Sequence, residues 1–171
     1  MLFSGCATNI PITKSVINEV GGVDNTKKFQ YYVSETITLK LVAESKKTTI
    51  EDGQLIRRSK TAREKVVITK KLPGIVRQGY QRTNGDGFQL KVAFENYEGN
   101  PTVSFGQYKE GNDKKYQILF TDSKNRIIKY GNDDYVVNYD GNEAPYLLIK
   151  MKQSSEESDK ARKAKGLKLG Q

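Results

Sequence analysis

Between Phe29 and Ala43 the chain alternates with a period of two: Phe29, Tyr31, Val33, Ile37, Leu39, Leu41 and Ala43 fall on one side, Gln30, Ser34, Thr36, Thr38 and Lys40 on the other. Successive side chains of an extended backbone point to opposite faces, so this pattern specifies a strand with one buried face. Glu35 alone interrupts the apolar side. The run is long enough to bend or to serve two sheets.

The rest of the chain, as far as Met151, keeps the same rhythm. Short β-rich runs, among them "TTI", "QLIRR", "EKVVIT", "IVRQGY", "FQLKVAFE", "TVSFGQY", "YQILFT", "RIIKY", "YVVNY" and "PYLLIKM", are separated by Gly, Asn, Asp and Pro. Asp52-Gly53 is a strong two-residue hairpin signal, and Leu72-Pro73-Gly74 suits a type II turn, in which Pro presets φ and Gly takes a positive one. About ten strands with polar turns predict an all-β fold, either an antiparallel sandwich or a small barrel. One helix is expected near the start, where Ile12, Val16, Ile17 and Val20 repeat at helical spacing before Gly21-Gly22. The boundaries read as a linker over 1–10, one β-rich domain over 11–152, and a partly disordered basic tail over 153–171.

With 171 residues, 36% of them hydrophobic, there is material for one thin core, and ten Tyr and six Phe supply its bulk in the absence of Trp. Zero His removes the commonest general base, the usual nucleophile pairs and most zinc sites. Paired carboxylates or a Ser/Lys pair would need a cleft that strand periodicity cannot locate. We therefore expect no enzymatic activity and no cofactor.

The formal charge of +9 favours anionic partners: nucleic acid, lipid head groups, lipopolysaccharide phosphates or acidic glycans. Its densest stretch holds Arg57, Arg58, Lys60, Arg63, Lys65, Lys70 and Lys71 against a single Glu64. On alternating strands these residues would form an anion-binding stripe, or else a solvated face whose lysines discourage edge pairing. Lys160, Arg162, Lys163 and Lys165, together with Lys168, make a second cluster, suited to a membrane surface or simply to a soluble end. The loops "NGDG", "GNDD" and "DGNE" bring Asp133, Asp134, Asp140, Asn142 and Glu143 into question as calcium ligands. None has the spacing of a calcium loop, and turns favour the same residues, so no metal is expected. The tyrosines could form a stacking platform for bases or sugar rings, although Tyr is also simply a good strand former.

The single Cys6 ends the run Phe3-Ser4-Gly5-Cys6, which resembles the lipobox of bacterial lipoproteins, where an apolar residue and two small ones precede the lipidated cysteine. "FQYYVSETITLK", "KVVITKKLPGIV" and "LKVAFE" resemble, over most of residues 6–151, a group of bacterial lipoproteins of the Bacteroidota type that has no assigned activity. The resemblance implies a lipid anchor on Cys6 and an outer-membrane location. Without an acidic cluster after Cys6, the periplasmic side is expected. The expected role is then structural or adaptor-like, binding an envelope protein or an anionic membrane or glycan surface. The alternatives are a cytoplasmic small-barrel module binding nucleic acid or another polyanion, and a glycan-binding protein.

Overall fold

The computed structural model describes residues 7–42, 47–51, 54–58, 65–82, 87–97, 99–107 and 114–152, with backbone alone for 7, 47–51, 54–58 and 152. In chain order these form β1 (Ala7–Pro11), α1 (Lys14–Glu19), a 3-10 helix (Val23–Lys28), β2 (Gln30–Val33), β3 (Ile37–Leu41), β4 (Lys47–Glu51), β5 (Gln54–Arg58) and β6 (Lys65–Ile68). They continue with β7 (Gly74–Gln81), β8 (Phe88–Ala93), β9 (Val103–Gly106), β10 (Gln117–Ile118), β11 (Ile127–Tyr130), β12 (Asp133–Asn138) and β13 (Leu147–Lys152).

Eleven strands, all antiparallel, make two sheets. A seven-stranded sheet runs β1-β13-β2-β7-β8-β9-β10, a four-stranded one runs β11-β12-β3-β6, and β4 pairs with β5 as a separate hairpin. The hairpin's last pair is Glu51 with Gln54, and Asp52-Gly53, which carry the turn signal, lie outside the described residues.

The expected alternation is present as far as Leu41, Ala43 lying outside the described residues, and it does serve two sheets. β2 joins the large sheet and β3 the small one, with Ser34 to Thr36 as the corner between them. Tyr31, Val33, Ile37 and Leu39 then all enter one hydrophobic cluster, together with Leu90, Val92 and Phe105 of the large sheet and Ile128, Tyr135 and Val137 of the small one. A two-sheet core arises directly from one apolar side that crosses a bend at its single interruption, Glu35.

No barrel closes. The far edge β10 does reach back toward β13: Ile118 N–H donates to the Pro145 carbonyl and Leu147 N–H to the Tyr116 carbonyl, both at 2.9 Å. Only the isolated bridge Gln117 to Tyr146 results, so the large sheet curls without a continuous ladder.

Two local expectations are corrected and a third is refined in extent. Residues 7–10, read as part of a linker, belong to β1, which pairs with β13 from Ala7 opposite Lys152 to Pro11 opposite Leu148. The hydrogen bonds of a sheet edge hold a segment too polar to be recognised as core. The turn before β7 lies at Lys70-Lys71, closed by Leu72 N–H donating to the Thr69 carbonyl at 3.1 Å, and not at Leu72-Pro73-Gly74. Gly74 has no positive φ; it is small because a Cβ there would meet the Phe94 ring at 2.6 Å and Val92 at 2.8 Å. The expected helix is present as α1, shorter than its pattern, capped by the Thr13 hydroxyl accepting from Val16 N–H at 3.3 Å. A 3-10 helix that no periodicity announced comes next and lies against β7, where Val23 would be 2.6 Å from a Cβ on Gly79.

Candidate binding face

The outer face of the seven-stranded sheet carries exposed apolar and cationic side chains side by side. On β7 burial alternates from Gly74 to Val76, leaving Ile75 out, and then the pairing with β8 shifts between Val76 and Gln78. Arg77 is the extra residue of this β-bulge. Bulges interrupt the ladder and re-aim a side chain, and here the re-aimed group is an exposed guanidinium. Ile75 remains 40% exposed and Tyr80 41%, both unusual for large apolar bodies within a central strand of a sheet.

Two further cations stand on the same face. The Lys91 ammonium lies 5.9 Å from the centre of the Tyr80 ring, and Lys150 covers the Tyr32 ring at 4.7 Å. Among the described residues Arg77, Lys91 and Lys150 have no carboxylate within ion-pair distance. The cations that do have one lie elsewhere: Lys70 with Glu35 at 3.0 Å, Lys115 with Glu143 at 3.8 Å and Lys129 with Asp134 at 3.9 Å.

Where β7 begins and β8 ends there is a hollow of about 210 Å³. Pro73, Ile75, Ala93 and Phe94 make it apolar, with Arg77 and Glu95 as its charged groups. Glu95 is held from the small sheet: the Tyr130 hydroxyl donates to its Oε1 at 2.6 Å. Burial, and then the Glu95 carboxylate, raise the Tyr130 hydroxyl above the ordinary tyrosine value, so it keeps its proton and remains a donor. Tyr97, at 62% the most exposed large hydrophobic among the described residues, stands two residues later.

The sequence-predicted site residues are dispersed. Arg57 and Arg58 stand in β5, on the separate hairpin, and Lys60 and Arg63 lie outside the described residues. Lys65 opens β6, Lys71 is exposed in the turn after it, and Lys70 is engaged with Glu35. Lys65 finds instead an unforeseen neighbour, Lys40, directly opposite on β3 with both side chains exposed. Like charges facing each other across strands repel, so this pair concentrates positive charge on the small sheet at a cost to pairing. Cys6 and the tail residues Lys160, Arg162, Lys163 and Lys165 lie outside the described residues.

The calcium candidates do not converge. Asp133 and Asp134 open β12 while Asp140, Asn142 and Glu143 lie past its far end, roughly 20 Å of extended strand away. No cluster of three potential ligands occurs among the described residues. Nor do the tyrosines gather into one platform: Tyr31, Tyr116, Tyr130 and Tyr135 are core, and Arg126 and Lys115 sit over Tyr139 and Tyr146. Arg77, Lys91 and Lys150 were not singled out by charge density, since each is isolated in sequence. Only strand register assembles them.

No described helix is long and apolar enough to cross a membrane. Comparison with family models, with curated proteins and with solved structures finds no match.

Proposed function

We propose that this chain is a non-catalytic adaptor of the bacterial cell envelope, held at the periplasmic side of the outer membrane by a lipid on Cys6, that binds an acidic partner protein. The observation that carries the binding role is the outer face of the large sheet, where exposed Ile75 and Tyr80 are flanked by Arg77, Lys91 and Lys150 without carboxylate partners among the described residues. Apolar bodies rimmed by unneutralised cations suit a protein surface of opposite charge, which such a rim attracts and orients.

The envelope half of the reading is supported by Phe3-Ser4-Gly5-Cys6 and by the strand beside it. β1 starts at the next residue, Ala7, and pairs there with Lys152, the end of β13. A lipid on Cys6, contributing about 0.8 kcal/mol per buried CH₂, would hold the sheet edge against the bilayer, and the basic tail would depart from the same point.

The test is the mass of the native N-terminus in a detergent-extracted membrane fraction. Acylated Cys6 as first residue supports the envelope reading; unmodified Cys6 in the soluble fraction overturns it. A second reading, binding of nucleic acid or another polyanion, is favoured by the opposed pair Lys40 and Lys65. It requires an affinity for duplex DNA that falls steeply with salt and is lost on charge reversal at that pair.

A further inference from the structure

We propose that the hollow between the start of β7 and the end of β8 seats a single apolar side chain of an acidic partner segment, with Arg77 pairing the carboxylate beside it. This rests on the reading of the outer face as a binding surface, and it identifies the anchor point within that face.

Size selects the kind of occupant. Pockets that enclose a whole small molecule span roughly 300–1,000 Å³. At about 210 Å³ this one matches a side chain projecting from a larger body.

Chemistry selects the rest. Isolated exposed apolar residues are ordinary on any surface, but Ile75 adjoins Pro73 and the edges of the nearly buried Ala93 and Phe94 in one shallow, open hollow. The bulge presents Arg77 at its rim with no carboxylate partner among the described residues, and a guanidinium fork matches a carboxylate in two parallel hydrogen bonds. Glu95 has one oxygen fixed by Tyr130 and a second with which to accept a backbone N–H from the arriving segment. A segment with an apolar residue next to an acidic one meets all three demands.

The experiment uses the full chain, isotope-labelled for NMR, titrated with a short blocked peptide alternating Glu and Leu and with its counterpart alternating Lys and Leu. The expected result is selective binding of the acidic peptide, with shifts centred on Ile75, Ala93 and Glu95. Arg77→Glu should weaken it roughly ten-fold or more, the scale of a lost charge-assisted pair, and Ile75→Asp should do likewise. Both positions are exposed, so both variants should fold, which their own spectra establish. Equal binding of the two peptides, or indifference to both variants, overturns the proposal. If Lys91→Glu and Lys150→Glu abolish binding while Arg77→Glu and Ile75→Asp do not, the face survives as a binding surface and the hollow does not. If the acidic peptide shifts nothing on this face, or the chain instead binds anionic vesicles through it, both fail.

Discussion

Tyr31 and Tyr32 are neighbours in β2 and belong to different worlds. Tyr31 is 1% exposed, points into the core and donates its hydroxyl to the Thr26 carbonyl at 2.7 Å. Tyr32, itself only 8% exposed, lies on the outer face, its ring covered by the Lys150 ammonium. Inward, tyrosine serves as bulk with its one polar atom satisfied; outward, it serves as a surface for cations. The same division runs across the whole large sheet, with Leu90, Val92, Val103 and Phe105 wholly buried on one face and Ile75, Tyr80, Arg77 and Lys91 on the other. The inner face packs the core between the sheets, and the outer face is the surface on which the proposed recognition rests.

The largest test of that division is Phe105→Ala. Phe105 is fully buried and meets Phe94 edge to face, 6.5 Å between ring centres. Removing it should cost about 3–5 kcal/mol in denaturant unfolding. A loss under about 1 kcal/mol, the size expected of a surface change, would mean that the two sheets are not joined by this core.

Gly74→Ala probes the same face from the opposite side. The added methyl would meet the Phe94 ring and Val92 at under 3 Å, and overpacking of this kind costs about 1–3 kcal/mol. Because Gly74 pairs with Tyr31 and precedes Ile75, the strain should also disturb the hollow, appearing as shifted Ile75 and Phe94 resonances. Unchanged stability and resonances would imply a looser junction.

How far the sequence announces this division depends on the element. From Phe29 to Leu41 period two alone assigns Tyr31, Val33, Ile37 and Leu39 to the core face, though not the burial of Tyr32 on the other, and the break at Glu35 coincides with the passage between sheets. At Pro73-Gly74 the same kind of reasoning misleads. Turn chemistry and close packing both demand glycine, and only the position of the Phe94 ring distinguishes them. For the candidate site, density of charge points to residues 57–71, yet Arg77, Lys91 and Lys150 come from β7, β8 and β13, which strand pairing places in one sheet with β2 between β13 and β7. Long-range pairing of that sort leaves no local trace.

Tyr31→Phe makes a smaller and more specific cut. At neutral pH the loss of the hydroxyl donor should cost about 1 kcal/mol, since the Thr26 carbonyl keeps only a longer bond from Phe29 N–H at 3.4 Å. Burial raises the Tyr31 hydroxyl above its ordinary value, as it does that of Tyr130. In the unfolded chain both release protons near pH 10, where the native state still holds them. Their contribution is therefore complete below about pH 10 and is lost as pH rises toward the native values. Unfolding curves should show stability falling above that pH, less steeply in Tyr31→Phe and Tyr130→Phe. Equal slopes in all three would show that these hydroxyls ionise freely and that the inner face is wet.

Tyr80→Ser should do least. Its ring is 41% exposed and its cation contact, at 5.9 Å from Lys91, is near the limit at which such a contact contributes, about 0.5 kcal/mol on a surface. Stability should change by no more than about 0.5 kcal/mol, as for most surface substitutions. Affinity for an acidic partner should nevertheless fall, because the ring both adds apolar area and helps to orient the Lys91 ammonium. The two readouts must separate for the outer face to be a recognition surface. If the variant loses as much stability as Gly74→Ala, Tyr80 belongs to the packing of the sheet, and the boundary between the two faces lies farther out than register places it.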